Sequence, residues 1–390
     1  MKILILAERF YPEDFLINDL ALTWKKQGHT IEVISQTPSY PHDKIWEGYK
    51  NKLFQTTNEF ENIKIHRVRT LLGYNKSVTL KILGYFYFAI LSSIWAIFNG
   101  WKYDRVFTYN TGPLTNGTAA LVLRFLWWKK CMIWTQDVWP DTIYSYGIKP
   151  RWYVKFFVNI LIWIIYKGYK RIIVSSPNFI KKIKPYVNCD IQFCPQWSSE
   201  SISLNPICEK QNKIFTFAGN IGSVQNLEVL ARTFGDLKLK NATLKIVGDG
   251  IFLKRLIELK ENNHYTNIEF TGRLPRNMMP QIFEKSDILI ISLAPQLDLT
   301  IPAKFQAYLA AGRPIFGIIR GDTAKMIKDY NLGITADPAS PEDIEYGFKE
   351  FMSADHQKLL SWSNNAKQLS STQFSKDKIV AKINALLTEM

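Results

Sequence analysis

Three stretches of this chain carry residue types and spacings suited to holding an anion. The first, IPAKFQAYLAAGRPIFGI, runs from Ile301 to Ile318. It joins a polar loop to a short amphipathic helix predicted to start near Pro302 and Ala303, with free N–H groups pointing back at the loop. Such an end attracts negative charge, diphosphates above all. Lys304, in the first turn, adds a full positive charge, and Gln306 adds an amide that both donates and accepts. Gly312 is expected to stop the helix before a buried strand, IFGI. The second stretch, FAGNIGSVQNLEVL, follows a strand and opens a helix. Gly219 and Gly222 there permit close backbone approach, and Asn220 and Gln225 are the polar side chains of the turn. The third, WTQDVWPD, places Asp137 and Asp141 beyond a strand, at the kind of end that faces a ligand. Glu8, Arg9, Glu13 and Asp14 follow the first strand in the same way, and His42 lies in a proline-rich loop. Gly248, in IVGDG, and Arg273, in TGR, close two further strands. No nucleophile elbow, P-loop lysine motif or metal cluster accompanies them.

These residues need elements to position them, and the pattern supplies a repeated one. KILILA is a buried strand, Phe15 to Gln27 a helix ended by Gly28, and TIEVIS the next strand. IKIHRVR, RVFTY, MIWTQ and RIIVSS alternate with helical stretches, which implies a parallel sheet covered on both faces. Between Pro195 and Lys213 the pattern lapses into a polar segment with two prolines and four serines. A second series follows: KIFTFAG, TLKIVG, IEFTG and DILIIS, each separated by a helix. The expected organisation is a first domain over 1–195, a linker over 196–212, a second domain over 213–365 and a helical tail over 366–390 that packs back on the first domain. At 390 residues, two doubly wound α/β domains fit the length better than one core. In one parallel sheet, the Gly219, Gly248, Arg273 and Lys304 ends converge on one edge.

Charge and aromatic content point to a second kind of partner. Residues 1–200 hold 26 Lys and Arg against 14 Asp and Glu, while residues 201–390 hold 23 against 20. The basic excess therefore belongs to the first half, which also carries the long aromatic runs. Ile82 to Phe98 is free of charge over 17 residues, the lower edge of what spans a bilayer. Gly84, Ser92 and Ser93 lower its hydrophobicity, and the strand–helix alternation resumes directly after it. A buried or membrane-lying helix is the expectation. Phe156 to Tyr166 is a second apolar run, followed by KGYKR. Basic residues mixed with aromatics inside apolar runs favour an anionic membrane surface over nucleic acid, which is not an expected partner. Cys131, Cys189, Cys194 and Cys208 fit neither a zinc pattern nor a disulfide framework, so a reduced, cytoplasmic setting with buried thiols is expected. The first apolar stretch ends at Glu8, too short for a signal peptide.

The order of motifs resembles family 4 retaining glycosyltransferases of the GT-B fold. The resemblance runs over nearly the whole chain: two doubly wound halves, then GNIG, VGDG, TGR and the YLAAGRP helix. YPED at Tyr11 to Asp14, PSYP at Pro38 to Pro41 and DVWPD at Asp137 to Asp141 resemble the bacterial branch that builds O-antigen and capsule, fucosamine transferases included. The resemblance implies two domains facing across a cleft. The second would hold a UDP-sugar, an N-acetylated 6-deoxyhexosamine among the candidates, through Gly219, Asn220, Gly222, Gln225, Gly248, Arg273, Pro302, Ala303 and Gln306. The first would hold a polyprenyl-diphosphate-linked saccharide, with Glu13, Asp14 and His42 as acceptor contacts. Asp137 and Lys304 would serve at the reacting centre. No metal and no cofactor beyond the donor is implied, because helix ends and side-chain cations neutralise the diphosphate. The implied location is peripheral, on the cytoplasmic face of the inner membrane.

Two departures from the family pattern matter. The usual Arg and Lys of the glycine turn match Asn220 and Gln225, and the usual pair of glutamates matches Leu299 and Ala307. Lys304 and Arg273 then become the available cations, Gln306 the polar group beside the lost glutamate, and Asp298 the candidate for hydroxyl contacts. An inactive partner subunit and a nucleotide-sugar 2-epimerase of the same fold are the alternatives.

Overall fold

The computed structural model describes residues 1–145, 149–198, 202, 204–296 and 300–390. It separates into two units, Met1–Cys194 with Val380–Met390, and Pro195–Ile379.

In the first unit the strands are β1 (Lys2–Leu6), β2 (Thr30–Gln36), β3 (Phe54–Phe60), β4 (Ile63–Val68), β5 (Arg105–Asn110), β6 (Lys130–Thr135), β7 (Arg171–Val174) and β8 (Ile191–Phe193). The helices are α1 (Leu16–Lys26), α2 (Val78–Asn99), α3 (Ala119–Phe125), α4 (Asp141–Ser145), α5 (Trp152–Tyr166) and α6 (Pro177–Ile183). The strands form one sheet in the order β3-β4-β2-β1-β5-β6-β7-β8, parallel except for β3. Ile3 to Leu6 are buried because helices cover both faces, which is why the strand reads as an unbroken apolar run. On α1, Ile17, Leu20, Ala21 and Trp24 form the buried stripe, and Gly28 takes φ 84° just beyond its end.

β4 is the expected IKIHRVR strand, but β3, which pairs with it in a hairpin, has no counterpart in the strands expected from the sequence. The hairpin's two turn residues, Glu61 (φ 47°) and Asn62 (φ 55°), adopt the left-handed pair that matches strand twist. FQTTNEF is polar because β3 is the sheet's edge, where polar side chains discourage further pairing.

The charge-free run becomes α2, whose inner residues Phe88, Ala89, Leu91, Ser92 and Ala96 are buried. It packs beside α3, where the Trp127 indole donates to the Ala96 and Ile97 carbonyls (3.0 and 3.1 Å). Just past α5, Gly168 sits against the backbone of Ala120 and Leu121, so α3 is flanked by α2 and α5. Among the described residues, α2 extended to Lys102 is the one helix long and apolar enough to cross a membrane, by length and composition.

The second unit contains β9 (Lys213–Ala218), α7 (Leu227–Asp236), β10 (Ala242–Val247), α8 (Leu253–Asn262), β11 (Ile268–Gly272), α9 (Met279–Lys285) and β12 (Ile288–Ser292). It continues with α10 (Ala303–Ala311), β13 (Ile315–Ile318), α11 (Gly321–Asp329), β14 (Gly333–Ala336), α12 (Pro341–Ser353) and α13 (His356–Thr372). The sheet is fully parallel in the order β11-β10-β9-β12-β13-β14. Its core is aromatic: Phe348 meets the rings of Phe215, Phe234 and Phe316 at 5.1, 4.9 and 5.0 Å between centroids, all edge-on.

The tail divides differently from the expected boundary at 366. Ser363 Oγ donates to the Gly312 carbonyl (2.6 Å), and the Lys367 stem lies against Gly312, so α13 covers α10 in the second unit. The next helix, α14 (Lys376–Thr388), passes into the first unit from Val380 onward. There Asn384 accepts from the Trp24 indole (2.6 Å), and the Leu387 carbonyl accepts from Arg105 (2.9 Å). The segment expected as a linker contributes Ile207 to the second unit's core.

Candidate functional site

In a doubly wound sheet, ligands bind beyond the carboxyl ends of the strands where the strand order reverses. In the second unit that point lies between β9 and β12, the first and fourth strands of the series. The loop after β9 carries Gly219 to Gln225, and the loop after β12 leads to α10.

The loops after β9, β10 and β11 are joined by backbone bonds. Gly219 N–H donates to Val247 O (2.8 Å), Ile221 N–H to Asp249 O (2.9 Å) and Gly248 N–H to Gly272 O (2.9 Å). The approach is so close that a Cβ on Gly248 would lie 1.9 Å from the Gly219 carbonyl oxygen, at a backbone φ of 143°. Gly248→Ala is therefore expected to cost more than ~2 kcal/mol, through backbone strain and a clash with no flexible side chain to give way. Gly272→Ala, also at a positive φ (70°) but with open space around its Cβ, carries backbone strain without the clash, and thermal melts of the two variants separate these costs.

Gly219 has a different neighbour. A Cβ there would lie 2.4 Å from Lys304 Cε and 2.6 Å from Lys304 Nζ, so the lysine occupies the space that only a glycine leaves. The ammonium also sits 3.6 Å from the centre of the Phe217 ring. Burial pushes its pKa down to about 7. The N-terminus of α10 has Pro302 at its cap position and no capping side chain, and Ala303 is exposed. A lysine ammonium and an open helix end thus meet at the β9 glycine. Tyr308, not singled out in the sequence, fixes this arrangement: its hydroxyl accepts from Ala218 N–H (3.2 Å) and ties α10 to the end of β9.

Other expected donor contacts are placed differently. Gln225 Oε1 accepts from Gly222 N–H (3.0 Å), so the amide braces the turn. Gln306 is buried, and the amide orientation that satisfies it donates to the Pro302 and Ala303 carbonyls (2.8 and 3.0 Å). It supports the first turn of its own helix. Asn220 is exposed, and Arg273 is exposed at the end of β11, two strands from β9. Asp298 and Leu299 lie outside the described residues. Arg313, from the YLAAGRP motif, is buried and donates to the carbonyls of Phe283, Ser286, Asn205 and Glu284 (3.0–3.2 Å), a framework role.

The first unit has its own reversal point, between β1 and β5. Glu8 is buried there, accepting from Asn116 Nδ2 (2.9 Å) and Gln36 Nε2 (3.3 Å). Arg9 lies over the rings of Tyr40 and Tyr74 (4.6 and 5.3 Å to the centroids). Lys81, from the first turns of α2, lines the same recess with Thr111 and Gly112. Burial lowers the Lys81 pKa, opposed by the Glu8 carboxylate. Lys81 is the last charge before the apolar run, and that isolation was the one signal for it in the sequence.

Glu13 does not reach this recess. It is buried, and it accepts from the N–H groups of Ser39 (2.9 Å) and Tyr40 (2.7 Å) beside Arg9 (3.5 Å). Burial raises its pKa. Asp14 and His42 are exposed and outside the recess lining. Asp137 lies beyond β6, where burial pushes its carboxyl up to about 6 and its charge adds to the burial that raises Tyr109. Asp141 instead pairs with Lys182 of α6 (3.2 Å). Among the described residues, no group of three His, Cys, Asp or Glu side chains is arranged to hold a metal. All four cysteines are free; Cys131 and Cys194 are buried, while Cys208 is exposed, unlike the expectation.

Two doubly wound units in one chain, each with its glycine or charged loops beyond the strand ends, constitute the GT-B fold. Residues 203–369, within the second unit, match the family described as glycosyl transferases group 1. The chain is 20% identical over 285 residues to the probable glycosyltransferase WbjE of Pseudomonas aeruginosa, covering 69% of this chain and 71% of that one. It is 22% identical over 336 residues to the putative colanic acid biosynthesis glycosyl transferase WcaI of Escherichia coli, covering 80% and 82%. Among solved structures, HepE of Anabaena in complex with UDP superposes over the full length of both chains with a TM-score of 0.72 at 13% identity.

Proposed function

We propose that the protein is a glycosyltransferase that moves a sugar from a nucleoside-diphosphate donor, UDP-linked, to a polyprenyl-diphosphate-linked saccharide in surface polysaccharide synthesis. The observation that carries this reading is Lys304 at the β9 glycine beside the open end of α10, at the reversal point of the second sheet. A diphosphate there gains a side-chain cation and helix N–H groups together. The names of WbjE and WcaI support sugar transfer in polysaccharide assembly, and the UDP held by HepE supports the base.

Retention follows from the resemblance. The bond from the anomeric carbon to the diphosphate breaks, the bond to the acceptor oxygen forms on the same face, and the acceptor proton passes to the departing phosphate oxygen. Lys304 stabilises that phosphate, and Asp137 orients the hydroxyl-bearing partner. An N-acetylated 6-deoxyhexosamine is the leading sugar candidate.

The first unit docks on the cytoplasmic face of the inner membrane. Leu83, Phe86, Ile90, Ile94 and Ile97 form an exposed stripe along α2, and Trp152, Phe156, Phe157 and Ile160 an exposed patch on α5. Patches of this kind, edged by lysine and arginine, suit an interface between lipid and water.

The test is isotope transfer from a panel of labelled UDP-sugars into membrane lipid extract, with a thermal-shift screen of the same nucleotides. Label is expected in the lipid fraction for one sugar, with UDP raising the melting temperature. Conversion of the sugar nucleotide without lipid would identify an epimerase. Neither transfer nor a shift with any nucleotide would point to an inactive partner.

A further inference from the structure

We infer that a recess in the first unit, between the ends of α3 and α5, is a binding site for the phosphate of an anionic membrane lipid. The inference rests on the membrane reading above, and it assigns that reading a specific headgroup contact.

The recess has a volume of about 480 Å³ and is lined by Arg124 and Phe125 of α3, Trp163 of α5, Lys167 and Lys170 just beyond it, and Tyr186. Its lining contains three cations and no carboxylate side chain. Lys170 donates to the main-chain oxygen of Met390 (3.2 Å), which leaves Arg124 and Lys167 for a ligand. Neither forms an ion pair among the described residues. Lys167 Nζ sits 3.2 Å from the centre of the Trp163 ring, so the cation is held at the lip of the recess by an aromatic face. Uncompensated positive charge in a concave site selects a compact anion such as a phosphate.

The surroundings say which phosphate. Phe125 is 60% exposed, Trp128 86% and Phe157 67%, all on the two helices that form the recess or directly after them. A soluble phosphate or sugar phosphate gains nothing from these side chains. A phospholipid does: its phosphate enters the recess while Phe125, Trp128 and Phe157 lie in the boundary between headgroups and acyl chains, where amphipathic rings are favoured. The occupant is therefore a lipid phosphate presented by a membrane.

The experiment uses the full chain and two kinds of vesicle, phosphatidylcholine alone and phosphatidylcholine with phosphatidylglycerol. Binding is read by co-sedimentation. Arg124→Gln with Lys167→Gln is compared with wild type and with a control, Lys25→Gln with Lys26→Gln, at the end of α1. Each basic residue near an anionic surface contributes about fivefold, so the recess pair is expected to lose more than about tenfold of its preference for anionic vesicles. The control should lose less. Lys167→Gln alone, at an exposed position, should lose part of the effect and melt like wild type.

Equal losses in recess and control variants would overturn the inference and leave membrane binding standing. Failure of wild type to bind either vesicle would overturn the membrane reading itself. If millimolar inorganic phosphate displaces wild type from anionic vesicles at unchanged ionic strength, the recess is a site for free anions and the assignment to lipid falls.

Discussion

Lys304→Met is expected to lower sugar transfer ~10–100-fold, the loss of a charge-assisted contact of roughly 1.5–3 kcal/mol to the leaving diphosphate. Methionine keeps an apolar stem against Phe217 and removes only the charge. The effect should carry a pH signature. Burial holds the lysine at about 7 in the free protein, whereas a bound diphosphate favours its charged form. Below pH 7 the ammonium is already charged and binding is at full strength. Above it, binding must take up a proton, so UDP affinity should fall by up to about tenfold per pH unit in wild type and stay flatter in the variant. The difference between the two isolates the lysine from the nucleotide's own ionisation. Stability gives an independent check. A lysine whose folded pKa lies below its unfolded one destabilises the fold most at low pH, and the burden fades as pH rises from about 7 toward the unfolded value. The variant should therefore melt above wild type at pH 6, with the gap closing by pH 10. Calorimetric titration with UDP and melts across this range make the comparison. Unchanged turnover and parallel pH profiles would remove Lys304 from the mechanism.

Asp137→Asn should reduce transfer ~10–100-fold, the loss of a charge-assisted contact of roughly 1.5–3 kcal/mol that orients the hydroxyl-bearing partner, while UDP still raises the melting temperature. Wild-type activity should fall on the acid side near pH 6, where burial places this carboxyl, and that limb should vanish in the variant. The sign for stability is opposite to that of Lys304. A carboxyl whose folded pKa is raised carries a penalty that grows as pH rises through the window from 3.8 to about 6 and is complete above it. Asp137→Asn should thus be more stable than wild type at pH 7 and indistinguishable near pH 3.8. A residue whose removal stabilises the protein and lowers turnover is held in place for chemistry. A variant that loses stability instead would mark Asp137 as a framework residue.

What the sequence revealed depended on how local the cause was. The α10 helix, its start at Pro302 and its stop at Gly312 were legible, because capping and left-handed glycine are properties of a few neighbouring residues. The glycine loops were legible for the same reason. Side-chain partners were not. Nothing local distinguishes Glu13, taken up by the Ser39 and Tyr40 amides, from an acid free to meet a ligand. Gln306 and Gln225 occupy ligand-facing motifs, yet each braces its own turn. Conversely, Lys81 meets Glu8 only because α2 folds over the end of β1, a pairing 73 positions apart in sequence. The β3 strand escaped notice because its edge position favours the polar composition that strand patterns penalise.

The passage of α14 from one unit to the other has a consequence for the order in which the protein matures. Residues 1–194 contain the whole eight-stranded sheet and leave the ribosome well before Asn384 and Leu387, the partners of Trp24 and Arg105. At roughly 5–20 residues per second, synthesis of the intervening segment takes about 10–40 s. During that interval the first-synthesised unit waits unfinished while the later one, Pro195–Ile379, is translated whole. Growth from the N-terminus ordinarily completes domains in the order of their translation; here the unit begun first is sealed last.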